Sequence, residues 1–419
     1  MRMRNMGDPI DRSALTGNLL AQYFLQIAKY ILPFVTLPYL ARVLGPDAYS
    51  IRAYALAVMT FVQIALDFGF NLSASKEMVI WLSEKVKVNK IIGSVFGAKF
   101  ILSLLCLIVL LIIGIFIPLI KDNAIYMVLA FFATLLNSFL PDFVFMAYEK
   151  MQILTKRYVV SKVVGVVLIF LLVHDSGDLL LVPVADIVTS LIALAWSWVS
   201  LRRSFGLSVG KPSLYSVVQE LRHSSLYFVS NAATAVYSSF TTIVIGVVST
   251  DLAVVSSWSL AMTALQAVQS LYSPLSNALY PHMLKRQDLG LVKRLILISF
   301  PIVTIGTIGF CCGSSLIMQL LGGAEYLDYS YVISLVSPVL WFSLYGHLLG
   351  WPILGAYGKV KQISFSTASA ALFSLLFILL FAASGMLTLV TASIIRVLTE
   401  AIMMLSRAWF ARAVFQKKD

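Results

Sequence analysis

Lys29 is the residue that asks most of its surroundings. It lies in the apolar stretch LLAQYFLQIAKYILPFVTLPYLARVLGP, from Leu19 to Pro46, which contains no acidic residue. If residues 17–41 form one helix, the ammonium stands 11 or 12 residues from either end, about 17 Å at 1.5 Å per residue. A lysine stem does not reach an interface from that depth, so the charge needs water, a partner or a ligand. Arg396, in TASIIRVLTEAIMM, is equally central in the last apolar run, and Glu400 follows at the spacing of an intrahelical pair. Arg42 and Arg52 flank the connection between the first two runs. Ammonium and guanidinium groups are the side chains that hold phosphate. Lys29, Arg396, Arg52 and Arg42 are therefore the candidates for binding an anionic, phosphate-bearing substrate; ordinary interfacial anchoring is the alternative for Arg42 and Arg52.

The intramembrane acids have a different chemistry. Carboxylates at membrane depth can take up and release a proton or cation, which makes Asp67, Asp142 and Glu400 candidates for a coupling ion. Asp67 and Asp142 share the same third of the membrane with Lys99 and Lys162, so salt bridging among these four is an equal expectation. Asp186 has no evident partner.

Polar residues form stripes at steps of three or four, one face of a helix. The first run carries Asn18, Gln22, Gln26, Lys29 and Thr36, and the second Thr60, Gln63, Asp67 and Asn71. Asn231, Thr234, Ser238 and Thr241 continue the pattern in the seventh run, and Thr263, Gln266, Ser270 and Asn277 in the eighth. Four such faces are expected to line a hydrated central cavity, with Gln22, Gln26, Gln63, Asn231 and Gln266 as its polar lining. Hydrogen bonding between helices is the competing role for any single residue.

The elements that must position these groups are membrane helices. Of 419 residues 60% are hydrophobic and only 12% charged, about half the charge of a soluble chain. Twelve apolar runs are long enough to cross a bilayer: 17–41, 49–74, 91–118, 124–148, 153–173, 179–201, 224–248, 252–283, 294–321, 328–355, 361–384 and 387–411. Basic residues crowd the N-terminal tail, every second connection and the C-terminal end, among them Lys85, Lys87, Lys90, Lys156, Arg157, Arg202 and Arg203. The opposite connections hold only Arg42, Arg52 and Lys121. The positive-inside rule then places both termini in the cytoplasm, and the net charge of +12 reads as membrane orientation rather than nucleic-acid binding. A shift of 204 positions lays Tyr23-Phe24 on Tyr227-Phe228 and AYALA (Ala53 to Ala57) on SWSLA (Ser257 to Ala261). This weak repeat predicts an all-α protein of two six-helix lobes, 1–201 and 224–419, around a central path, with a cytoplasmic linker at 202–223. At that shift Lys29 falls on Ala233, so the lysine belongs to one lobe alone. The outward connections are too short to house an enzyme site. Cys106, Cys311 and Cys312 read as small core residues, with no spacing for a metal or a disulfide framework. No cofactor is implied.

The stretch LPYLARVLGPDAYSIRAYALAVMTFVQIALDFGFNLSASKE resembles bacterial polysaccharide flippases of the O-antigen (Wzx, RfbX-like) type, as do LSNALYPHM and RVLTEAIMML. The likeness spans nearly the whole chain. It implies the multidrug/oligosaccharidyl-lipid/polysaccharide exporter superfamily, twelve helices in two lobes, an inner-membrane location and no enzyme. It further implies that an undecaprenyl-pyrophosphate-linked oligosaccharide is moved from the cytoplasmic to the periplasmic leaflet by alternating access, coupled to a proton or sodium gradient. Membrane lipid and other polysaccharide assembly proteins are the partners implied. On that reading Lys29 holds the pyrophosphate in a central cavity. The alternative is an ion-coupled exporter of small molecules of the drug/cation antiporter type; a cavity lysine argues against a cationic cargo.

Overall fold

Helical backbone runs from Arg12 to Asp67 except at Gly45, whose φ of 70° and ψ of 174° are not helical. A straight helix of that length would measure about 84 Å, nearly three times the ~30 Å hydrocarbon core. Gly45 instead turns the chain back, in a region of φ that L-residues avoid, and makes a hairpin of α1 (12–44) and α2 (46–67). The computed structural model describes the backbone of residues 12–416. Side chains up to Tyr23 and at scattered later positions, Gln26, Tyr30, Thr234, Ser238 and Asn277 among them, lie outside the described residues.

The remaining helices are α3 (Lys85–Phe116), α4 (Ala124–Ser138, resuming as Asp142–Ala147), α5 (Met151–Leu172) and α6 (Leu181–Ser200). They continue as α7 (Leu214–Ala235, extended through a π turn to Val248), α8 (Leu252–Ser270 and Tyr272–Arg286) and α9 (Leu289–Cys312 and Ser314–Leu321). α10 is built from Tyr331–Val336, Pro338–Leu348 and Leu349–Gly355, and α11 (Val360–Ala383) and α12 (Leu389–Phe415) follow. Nine helical stretches among the described residues are long and apolar enough to cross a membrane. One of them, Leu32–Ile80, contains the Gly45 turn and so belongs to two crossings. The more highly charged α5 and the π-interrupted α7 complete twelve crossings among the described residues. An even number places both chain ends on one face, the face of the basic connections. α9 begins 204 residues after α3, the interval of the sequence repeat.

Helix 7 starts earlier than its apolar run. The Ser213 side chain accepts a hydrogen bond from the Ser216 N–H in a capping box, so helix begins at Leu214, inside the stretch expected to be linker. The non-helical connection is only 206–213. Cys312 also departs from expectation: it is exposed, while Cys106 and Cys311 are half-buried.

Packing differs between the two faces. On the face opposite the chain ends, one core joins both halves: Leu40, Tyr49 and Tyr54 pack with Trp258, Leu260, Met318 and Tyr326. At the basic face the cores are separate. Phe70, Met78, Ile92 and Phe143 form one, with Val217 of α7; Leu279, Met283, Leu348 and Met404 form the other. The halves are therefore sealed together at the far face.

α2 stops at Asp67 and resumes as Phe70–Ile80 after Phe68 (φ 41°) and Gly69 (φ 82°). A Cβ on Gly69 would lie 2.4 Å from the Tyr227 Cβ and 3.2 Å from the Phe228 nitrogen. Only glycine lets α2 bend this closely around α7.

Candidate functional site

Lys29 opens into a cavity of about 760 Å³ whose described walls all come from the first half. α1 supplies Lys29, α2 Gln63, Asp67 and Asn71, α4 Asn137 and Asp142, α5 Arg157, Tyr158 and Lys162, and α6 Thr189 and Ser190. A second chamber of about 490 Å³ continues toward the far face, past Pro33, Thr36, Arg52, Tyr126 and Asp186. The two share Gln63, Asn137, Lys162, Thr189 and Ser190. Each is of ligand-pocket size.

Local sequence explains the opening. Pro33 lacks the N–H that would bond the Lys29 carbonyl four residues back, which loosens α1 at the cavity. α4 breaks before Pro141, leaving the Ser138 carbonyl without its helical donor; Lys99 Nζ takes it. The same ammonium reaches Asp67 Oδ1 at 3.3 Å, while Gln63 donates to Asp67 Oδ2 at 2.8 Å. Asp67 is thereby fixed in the wall. Asp142 is held by Arg157 through both guanidinium ends, Nη1 to Oδ1 at 2.6 Å and Nη2 to Oδ2 at 3.1 Å, and Arg157 Nη1 also donates to Ser197 Oγ at 2.9 Å. These two pairs are electrically neutral.

Two cavity lysines are different. The Lys29 ammonium is exposed to the cavity, 5.9 Å from the centre of the Tyr158 ring. Lys162 lines both chambers. Among the described residues no carboxylate lies within ion-pair distance of either. Arg52 stacks over Tyr49 at 5.6 Å in the outer chamber, where Asp186 is the exposed acid. The walls thus carry more positive than negative charge, in a concavity roomy enough for water.

The other residues singled out from sequence are placed elsewhere. Arg396 does not join Lys29: it is 8% exposed, in α12, which packs against α10 and α11, and its Nη2 pairs with Glu400 Oε1 at 2.8 Å. Its depth came from the sequence, but the pair one turn apart absorbs the charge within the second half. Glu400 is likewise buried and paired. Arg42 Nη2 donates to the carbonyls of Gln319 and Leu320, at 3.2 and 2.6 Å, and ties α1 to the end of α9 at the far face. Asn231 and Gln266 are exposed, but no described residue of α7 or α8 lines either chamber. Gln22 and Gln26 lie outside the described side chains.

Sequence reading misplaced one residue and undervalued another. Arg157 was assigned to a connection; it is 4% exposed inside α5. Lys162 was weighed only as a salt-bridge partner for the neighbouring acids; Asp67 goes to Lys99 and Asp142 to Arg157, which leaves Lys162 for the cavity. The signal lay in TKRYVVSK, where Arg157 and Ser161, and Tyr158 and Lys162, stand one helical turn apart.

A solved inward-facing multidrug resistance MATE family transporter of the MOP superfamily shares this fold, with a TM-score of 0.68 and 14% identity over 95% of this chain and 100% of that one. The lipid II flippase MurJ in an inward closed conformation gives a TM-score of 0.69 at 14% identity, covering 94% of this chain and 87% of that one. In sequence, the chain is 26% identical over 415 residues to an Escherichia coli (strain K12) protein named "Putative O-antigen transporter", covering 96% of this chain and 98% of that protein. The model of the family described as polysaccharide biosynthesis protein matches residues 15–287, which takes in every described residue of both chambers, and the chain belongs to that family.

Proposed function

We propose that the protein is a transporter that flips an undecaprenyl-pyrophosphate-linked oligosaccharide from the cytoplasmic to the periplasmic leaflet of the bacterial inner membrane. The observation that carries this reading is the cavity of about 760 Å³ bearing Lys29 and Lys162, neither with a carboxylate partner among the described residues. A diphosphate entering it meets two ammonium groups in surroundings less polar than bulk water, where opposite charges attract more strongly. Gln63, Asn137, Thr189 and Ser190 then offer hydrogen bonds to sugar hydroxyls, and the polyprenyl chain stays in lipid. Arg52, in the outer chamber, is a later contact along the same path.

The names of the relatives agree with this cargo: one is an O-antigen transporter by name and another flips lipid II. Alternating access is supported by the unequal packing of the two faces. The far face is closed by one core shared between the lobes, 1–201 and 224–419, whereas at the basic face the cores are separate and it is the start of α7 that packs on the first lobe. We place the basic face and both termini in the cytoplasm, so the cavity loads from the side where the substrate is made. Transport is coupled to an ion gradient.

Liposome reconstitution tests the cargo. Protein in vesicles is given labelled undecaprenyl-pyrophosphate oligosaccharide on one side, and appearance on the other is followed; a lipophilic dye cation is the control cargo. Movement of the sugar lipid without the cation supports the reading. Movement of the cation alone would replace it with the drug-exporter alternative.

A further inference from the structure

Three intramembrane acids stood out as coupling candidates, and each has a basic partner: Asp67 with Lys99, Asp142 with Arg157 and Glu400 with Arg396. The buried carboxylate with no basic partner among the described residues is another one, Glu220. It lies on α7 just before the apolar run 224–248 and is only 4% exposed.

Glu220 faces the segment Phe70–Ile80 across the seam between the lobes. Its Oε1 accepts from Ser73 Oγ at 3.3 Å and from Ser224 Oγ at 3.5 Å, and those two hydroxyls are 2.5 Å apart. Glu77 follows one turn beyond Ser73 on the facing segment, near enough for its charge to disfavour ionisation of Glu220. Two turns beyond Glu220 along α7, Gly69 packs on Tyr227, and the rings of Phe68 and Phe228 stack at 4.4 Å. Glu220 thus sits where α2 bends and the lobes touch.

Among the described residues no cation is paired with Glu220. On α7, Arg222 and His223 are exposed. Lys76 on the facing segment, Lys85, Lys87 and Lys90 on α3, Lys211 in the connection and Lys361 on α11 are exposed as well. Lys99 is committed to Asp67 and the Ser138 carbonyl.

We propose that Glu220 is a proton-binding latch between the lobes, with Glu77 beside it: protonated, it closes the seam of α7 on Phe70–Ile80, and release of the proton opens it. The inference rests on reading the chain as an alternating-access transporter and names the proton as an ion that this motion binds and releases.

The sign follows from the same geometry. Burial first, then the neighbouring Glu77, push Glu220 up from an ordinary 4.5 to about 7, while the Ser73 and Ser224 hydroxyls pull it down. With the seam open the carboxyl is solvated and returns toward its ordinary value. The closed form is therefore fully favoured below about 4.5 and loses ground as pH rises to about 7. Above that both forms are ionised and the balance is flat.

Spin labels at Ile80→Cys and Val218→Cys, both exposed positions, report the seam by pulsed electron resonance in nanodiscs, with Cys106, Cys311 and Cys312 replaced by serine. The closed-to-open ratio should fall as pH rises from 4.5 to 7, by up to about tenfold per pH unit, and level off above 7. Glu220→Gln should hold the short distance at every pH. Glu77→Gln should make the levelling-off begin at lower pH, because the neighbouring charge is gone; it decides the matter should Glu220→Gln not fold. An unchanging wild-type distance, a wild-type pH response in Glu220→Gln, or no shift in Glu77→Gln would overturn the latch. No sugar lipid is present in these samples, so such a failure leaves the transport reading standing, and the liposome assay judges that separately.

Discussion

Asp142 tests whether the wall pairs are structure or machinery. Its two oxygens accept from Arg157 at 2.6 and 3.1 Å, and the side chains are 30% and 5% exposed respectively. Removing one member of a buried pair costs about 3–5 kcal/mol because the other is left desolvated. Asp142→Asn strands a guanidinium whose remaining polar contact of note is Ser197, and partial exposure of the site lowers the expected loss to about 2–3 kcal/mol. Arg157→Met strands a carboxylate that cavity water already reaches, so about 1–2 kcal/mol is expected. The double variant Asp142→Asn/Arg157→Met strands no charge and should lose less than Asp142→Asn alone. The assay is denaturant unfolding of the purified protein in detergent, followed by tryptophan fluorescence and read as a double-mutant cycle. Additive losses, with the double variant the least stable, would refute the pairing argument and return Asp142 to the coupling candidates.

Gly69→Ala should lower stability by about 2–4 kcal/mol in the same assay, from a left-handed φ and a Cβ 2.4 Å from Tyr227. Arg42→Ala removes two carbonyl contacts at the far face and should cost about 1 kcal/mol, since the site is exposed; Arg42→Lys should recover part. Asp186→Asn takes a negative charge from the outer chamber. At about 10 Å through hydrated surroundings that is worth ~0.5 kcal/mol, so a polyprenyl pyrophosphate should bind about twofold tighter by titration calorimetry.

The helices were legible because bilayer thickness and hydropathy fix them almost alone, and alternation of basic connections fixes their count. Lys29 was legible for a related reason: a lone ammonium amid apolar residues has few explanations. Arg396 was legible in part: its spacing from Glu400 allowed the intrahelical pair, but depth alone did not tell that it faces away from Lys29. Arg157 was hidden by its place beside Lys156 at a run's edge, where a connection and a helical start read alike. Glu220 was hidden more deeply. Its stretch looked like a linker, and only the capping at Ser213 and the bend at Gly69 bring it against Ser73 and its segment. Local pattern reports the element; contacts between halves report the partner.

The central claim is that Lys29 engages the pyrophosphate. Translocation of labelled undecaprenyl-pyrophosphate oligosaccharide in liposomes, compared between wild type, Lys29→Ala and Lys29→Arg at matched incorporation, tests it most directly. An ammonium about 4 Å from phosphate in a hydrated cavity is worth ~2 kcal/mol, between the limits for water and for a protein surface. Lys29→Ala should therefore slow transport roughly thirtyfold, and Lys29→Arg should retain a substantial part. Transport by Lys29→Ala at the wild-type rate would contradict the account.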